Sequence, residues 1–333
     1  MRPFNETNMQ HSDEVEVELF SVHEQISVLP PADILLLDQA ESFYTGQRDF
    51  PDFWQKQYDV ANVQTRLDYL LARNFLRISS MEETLMAEKA AVLRRTLRNH
   101  KLPTSGKKAD IAQRLMGTLS EFELDVLFPH RRFLKTPLGE RVVAEAPHIA
   151  YLHRHPVEGL TIHALHELLS TQTDRAWREH IWAHMESRAQ LHRENEAYGS
   201  YRSMRYRMYQ FLLEENKPKK AFASLAEVIY FDLSGVANGY NPLYQYVNEK
   251  YFFPYDTSIV RLSAALVREM AELKEALSLS EEMLNALLVQ FFKQFKVPIQ
   301  LFVEEECAAI VILELRGDIG RLRRAYELAK GRQ

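Results

Sequence analysis

The chain has 333 residues, 46% of them apolar and 11% aromatic, enough to bury a large core and to divide into about two domains. A formal charge of −5 makes it mildly acidic, and its single cysteine, Cys307, excludes an internal disulfide framework and a cysteine-rich zinc site. No run of about 18 apolar residues is available to span a bilayer and the N-terminus lacks the layout of a signal peptide, so a cytoplasmic protein is expected.

With 11 Gly and 13 Pro, and with apolar residues recurring every three or four positions, the body reads as mainly α rather than as a sandwich or a doubly wound sheet. Residues 1–35 form a polar, acidic arm that ends in "SVLPPADILLLDQA", where a proline pair precedes an amphipathic start. Within 36–150, "NVQTRLDYLLARNFLRI" predicts a helix with Val63, Leu67, Leu70 and Leu71 on one face, running into the strand-like "FLRI". "SSMEETLMAEKAAVLRRTLRNH" opens the next helical stretch, where Ser79 with Glu82, or Ser80 with Glu83, supplies a capping box. Further on, "RRFLKTPLGERVV" reads as a strand followed by a helix, with Thr136 as its cap and Pro137 in its first position.

Between those flanks, the stretch from Leu93 to Leu115 gathers Arg94, Arg95, Arg98, Lys101, Lys107, Lys108 and Arg114 against a lone Asp110. Leu93 and Leu97 stack on one helix, Ile111 and Leu115 on a second, and Leu102 plugs the gap from the connector "KLPTSG". Pro103 stops the first helix, and Ser105 is the expected N-cap of the second, accepting from the amide of Lys107 or Lys108. A helix N-terminus prefers acids by about 0.3–1 kcal/mol each, so local stability did not select Lys107 and Lys108. Free amides, Gly106 and the two lysines compose a phosphate site instead, which Arg94, Arg98 and Arg114 extend along a nucleic-acid backbone. The bland alternative is a solvated basic face on a small helical pair.

"AVLRRTLRNHKLPTSGKKADIAQRLMGTL" resembles the SAP domain, a short DNA-binding module, through Leu93, Leu97, Leu102, Pro103, Thr104, Ser105, Gly106, Lys107, Lys108, Ala109, Ile111, Arg114 and Leu115. The resemblance falls at residues 85–120 or so. It implies a helix–extended–helix that grips double-stranded DNA through the second helix and the loop before it, with backbone and shape dominating over base sequence. Lys107, Lys108, Arg114, Thr104, Ser105 and Gly106 would then carry the main contacts, and Arg94, Arg98 and Lys101 would assist. The flanks resemble the two halves of a winged-helix domain interrupted near its wing, an arrangement similar to uncharacterised SAP-containing proteins of Gram-positive bacteria and their prophages. The alternative for the flanks is a plain helical platform.

Residues 151–333 read as a helical, TPR-like interaction domain. Eight of the twelve histidines fall between His148 and His192, and His180 with His184 would suit one zinc pair. The HExxH pattern is absent, no carboxylate or third ligand has diagnostic spacing, and Trp177, Ile181 and Met185 point to a packing face. "YGSYRSMRYRMYQF" has the composition of a base-stacking surface, but its spacing favours tyrosine packing. "MYQFLLEENKPKKAFASLAEVIYFDLSG" resembles a single tetratricopeptide hairpin, with Tyr209, Leu212, Ala221, Leu225 and Val228 at packing positions, no early Trp or Gly and no clean second copy. Residues 230–255 hold nine Tyr or Phe residues, expected to pack against helices or to form a partner groove.

No carboxylate pair, Ser-His-Asp order or Cys-His pair is flagged by a local motif, and Cys307 lies in an acidic, apolar helix that would raise its pKa. The expectation is a non-enzymatic DNA-binding protein, nucleoid-associated, without cofactor or membrane contact, whose C-terminal helical domain binds a protein partner or itself. The alternatives are a helical scaffold whose basic patch meets an acidic protein, and a metal-dependent nuclease with dispersed carboxylates.

Overall fold

The computed structural model describes residues 29–172, 174–238, 262–298 and 300–330. Its described residues are mainly helical with one two-stranded sheet, and the chain divides into two compact units, Met1–Trp177 and Arg178–Gln333.

The first unit runs α1 (Pro31–Gln39), α2 (Phe53–Tyr58), α3 (Val63–Ala72), β1 (Leu76–Ile78), α4 (Met81–Ala87), α5 (Ala90–Asn99), α6 (Lys108–Thr118), α7 (Glu121–Leu127), β2 (Phe133–Lys135), α8 (Pro137–Glu145), α9 (Pro147–Arg154) and α10 (Ile162–Thr171). Its centre is α1, against which α3, α8, α9 and α10 pack. Ala32, Asp33 and Ile34 to Leu37 are all buried. That helix is therefore apolar all round rather than amphipathic, as a core helix must be. The one charge it buries, Asp33, receives the Arg66 guanidinium of α3 through both carboxylate oxygens. Folded structure thus includes Leu29 and residues 31–35, which the sequence assigns to the arm; residues 1–28 lie outside the described residues. Residues 151–177, grouped by sequence with the C-terminal block, fall in the first unit because α9 and α10 close over α1.

Strands β1 and β2 pair antiparallel, with Leu76 opposite Lys135, Arg77 opposite Leu134 and Ile78 opposite Phe133. Everything from Ser79 to Arg132 is an insertion between them. Its two ends are tied: Ser79 N–H donates to the Arg132 carbonyl at 2.9 Å, and Arg132 N–H to Ser79 Oγ at 3.0 Å. Facing inward for that purpose, Ser79 leaves the capping box to Ser80 and Glu83, the second of the two pairings the sequence allows. Downstream, Thr136 caps α8 as expected: Oγ1 accepts from Gly139 N–H at 3.2 Å and donates to the Asn74 carbonyl at 2.7 Å, tying the helix to the turn before β1.

The second unit continues α11 (Trp177–Glu194), which begins at the last residue of the first unit, with α12 (Tyr198–Glu214), α13 (Pro218–Leu233), α14 (Ala264–Ala276), α15 (Glu281–Phe292), α16 (Glu304–Arg316) and α17 (Ile319–Lys330). Helices α12 and α13 pack along their length, joined by a turn in which Asn216 takes φ +53° and Pro218 starts the next helix. Tyr209, Leu212, Ala221, Leu225 and Val228 are all buried between the helices of this unit. Tyr230 and Phe231 are buried too, whereas the other seven rings of the 230–255 stretch lie outside the described residues. Arg316–Asp318 marks a break, where Gly317 at φ +65° ends α16.

Candidate nucleic-acid interface

The insertion is a four-helix cluster with an apolar core of its own. Leu93 and Leu97 of α5 and Ile111, Ala112 and Leu115 of α6 meet Leu85 of α4 and Leu124 and Phe128 from α7 and its end, with Leu102 half-buried against them. The two central helices and the connector therefore form the expected helix, extended link, helix. The outer two helices enlarge its core.

Helix α5 ends in a paired cap: Lys101 N–H donates to the Arg98 carbonyl at 3.0 Å and Leu102 N–H to the Leu97 carbonyl at 2.8 Å. This closure puts Lys101 in the left-handed region at φ +57°, a place where glycine is ordinary and a side chain costs about 1 kcal/mol. A lysine is held there against local preference.

The start of α6 differs from the expectation. Lys107, not Ser105, occupies the cap position, and its N–H donates to the Asp110 carboxylate at 3.0 Å. Gly106 explains the shift: at φ +117° it turns the chain so that Lys107 is extended before the helix, and a Cβ there would lie 3.3 Å from Asp110. Its presence thus has a backbone reason. Ser105 contributes its carbonyl instead, which together with that of Pro103 receives the Arg114 guanidinium, at 3.0 Å for Ser105. Arg114 consequently sets the shape of the Thr104–Ser105–Gly106 link. Lys108 likewise donates its ammonium to the Met86 carbonyl at the end of α4, where a helix C-terminus favours a cation.

The other cations are uncommitted. Arg94, Arg95, Arg98, Lys101 and Lys107 are exposed and, among the described residues, make no ion pair or side-chain hydrogen bond. Three acids of the module are engaged elsewhere: Glu83 is held down to about 2 by Arg77 and by the Ser80 amide, Asp125 holds Arg131, and Glu123 caps α7. The N–H groups of Lys108, Ala109 and Asp110 likewise meet no acceptor among the described residues. Arg94 and Arg98, one turn apart, line one exposed stripe of α5.

Other sequence candidates are internal. Arg202 pairs with Asp232 at 2.8 and 2.6 Å, Arg205 with Glu227 at 2.6 Å, and Tyr201 donates to Glu227, so the Tyr/Arg stretch of α12 is joined to α13. Cys307 is fully buried, its pKa pushed up by burial and then by Glu304 and Glu306. Among the described residues no group of three or more His, Cys, Asp or Glu side chains is placed to hold a metal ion, and no helix is long and apolar enough to cross a membrane.

The histidines do contain one close pair: His148 Nε2 lies 3.0 Å from His166 Nδ1, joining α9 to α10, with the rings stacked. Burial, and then His166, lowers the His148 pKa from its ordinary 6.5 to about 4. The unfolded chain therefore binds the proton first, and stability that is complete above pH 6.5 is lost as pH falls toward 4. The expected loss is on the order of 2–3 kcal/mol across that window. Urea midpoints at pH 7.5, 5.5 and 4.5 should show a shallower pH slope for His148→Gln than for the wild type; parallel slopes would refute the assignment.

Comparison with protein-family models, with curated proteins and with solved structures finds no match to this chain.

Proposed function

We propose that the inserted module docks on double-stranded DNA, gripping the phosphate backbone. The observation that carries this reading is the set of five exposed cations without an ion pair among the described residues, three on α5 and two at the ends of the short link to α6. Lys101 and Lys107 flank the link, Arg94 and Arg98 extend the grip along α5, and the amides at the start of α6 complete it. Lys108 and Arg114 act on the same surface chiefly by fixing α4 and the Thr104–Ser105–Gly106 link beneath it. This agrees with the SAP-like pattern of the sequence, and the antiparallel strands at the root of the module agree with a winged-helix-like setting. The second unit supplies a helical body for a protein partner or for self-association, and the protein works in the cytoplasm on the nucleoid.

A second reading, a protein contact by the module, is favoured by Phe122 and Val126, one turn apart on α7 and 77% and 63% exposed. One titration separates the two. Fluorescent duplex DNA is followed by anisotropy with the full-length protein and with Lys101→Ala/Lys107→Ala, at several salt concentrations. Few phosphates are neutralised, so micromolar affinity at low salt is expected, falling steeply with salt. The variant should bind at least about tenfold more weakly, with a log–log salt slope shallower by roughly 2. Failure of the folded wild type to bind at low salt would overturn the DNA reading and leave the protein contact.

A further inference from the structure

The basic face of the module adjoins apolar surface. The bond from Lys108 Nζ to the Met86 carbonyl ties the end of α4, where Met86 is 42% exposed, to the first residue of α6. The module thus offers both exposed cations and an exposed methionine. Its complement is an extended segment with acids on one side and apolar groups on the other.

Such a segment stands in this chain. "DEVEVELF", residues 13–20, alternates so that in extended form Glu14, Glu16 and Glu18 share one side and Val15, Val17 and Leu19 the other. The first 28 residues carry Glu6, Asp13, Glu14, Glu16, Glu18 and Glu24 against Arg2, opposite in sign to the Leu93–Leu115 stretch. The ten steps from Leu19 to the buried Leu29 span up to about 33 Å when extended. A folded unit the size of the first has a radius of gyration of about 16 Å.

We propose that Asp13–Phe20 docks in cis on the basic face of the module, Glu14, Glu16 and Glu18 meeting Lys101, Lys107 and the α5 arginines and Val15 and Val17 turned toward apolar surface such as Met86, and that it competes there with DNA. The competition, though not the docking, rests on the DNA reading above. Tethering gives the segment a high local concentration, yet each exposed charge pair is weak and screened by salt. A duplex, with one charge per about 1.7 Å of axis, displaces it. The arm thus sets a threshold that rejects sparse polyanions and yields to duplex.

Zero-length carbodiimide coupling on the full-length protein tests the docking directly, because it joins only carboxylates and amines already in contact. Peptide mass mapping should find Asp13, Glu14, Glu16 or Glu18 joined to Lys101 or Lys107, and added duplex should suppress those links. Coupling of these acids to lysines scattered outside the module, or to none, would overturn the docking whatever DNA does. The full-length variant D13N/E14Q/E16Q/E18Q should bind duplex about five- to tenfold more tightly at low salt, the difference closing as salt rises. Unchanged affinity would overturn the competition. Cross-links without duplex binding by either protein would remove the DNA reading and leave the arm as the occupant of the face.

Discussion

Gly139→Ala is expected to destabilise the first unit by on the order of 3 kcal/mol or more. A Cβ at Gly139 would stand 2.2 Å from the Phe75 carbonyl oxygen and 3.2 Å from its carbon. Neither is the end of a flexible side chain. That carbonyl already accepts from Thr136 N–H at 3.1 Å and lies 3.2 Å from Thr136 Oγ1, so it is held where it is by the cap of the helix that carries Gly139. Relief requires α8 to move off the strands, withdrawing Val142 from the core and opening the root of the inserted module. Gly117→Ala in α6 is the matched control, because nothing lies within 4 Å of its Cβ. There the helix gains up to about 0.5–1 kcal/mol. Urea unfolding, with hydrogen exchange to locate the opening, should give the two substitutions opposite signs; a Gly139→Ala protein within 1 kcal/mol of wild type would refute the close approach.

Gly139 also shows where sequence reading stops. In "KTPLGE" the cap at Thr136 and the proline after it are local matters, legible from spacing, and both stand in the structure. What the glycine avoids is Phe75, more than sixty positions earlier, and no window spans that contact. The same division runs through the module. Leu93, Leu97, Ile111 and Leu115 were readable as two faces because each pair obeys a helical period, whereas Leu85, Leu124 and Phe128 join the same core only once α4 and α7 fold over it. At the candidate interface, composition located the cations but not their duties. Lys108 and Arg114 differ from Lys107 and Lys101 only in which carbonyls the fold brings to them. Ser105 was the plausible cap by residue type, and the positive φ of Gly106 moved the helix start past it. In α1 a short apolar run reads as amphipathic because Asp33 gives it a polar residue, which pairing with the partly exposed Arg66 keeps from solvent.

In the second unit, Glu227→Ala should cost about 3–5 kcal/mol, because it removes the shared acceptor of two groups rather than one. Glu227 is buried, receives Arg205 Nε at 2.6 Å and accepts from the hydroxyl of the buried Tyr201, whose pKa burial and then Glu227 itself push up. Truncation leaves the buried Tyr201 phenol without its acceptor and the half-buried Arg205 guanidinium with only the Met208 sulfur, the costly way to break a largely buried pair. Glu227→Gln should lie between, since its amide keeps one acceptor oxygen but turns an N–H toward a second donor. If the cost is that of stranded partners, removing them should recover it: Tyr201→Phe/Arg205→Met/Glu227→Leu is expected within about 1–2 kcal/mol of wild type although it deletes every bond in the group. Urea denaturation of the four proteins, with hydrogen exchange of α12 and α13, checks this. A triple variant as unstable as Glu227→Ala would show that the network contributes net stability of its own. The expected recovery would show that burial, set by how tightly α12 and α13 pack, is what makes Glu227 indispensable to Tyr201 and Arg205.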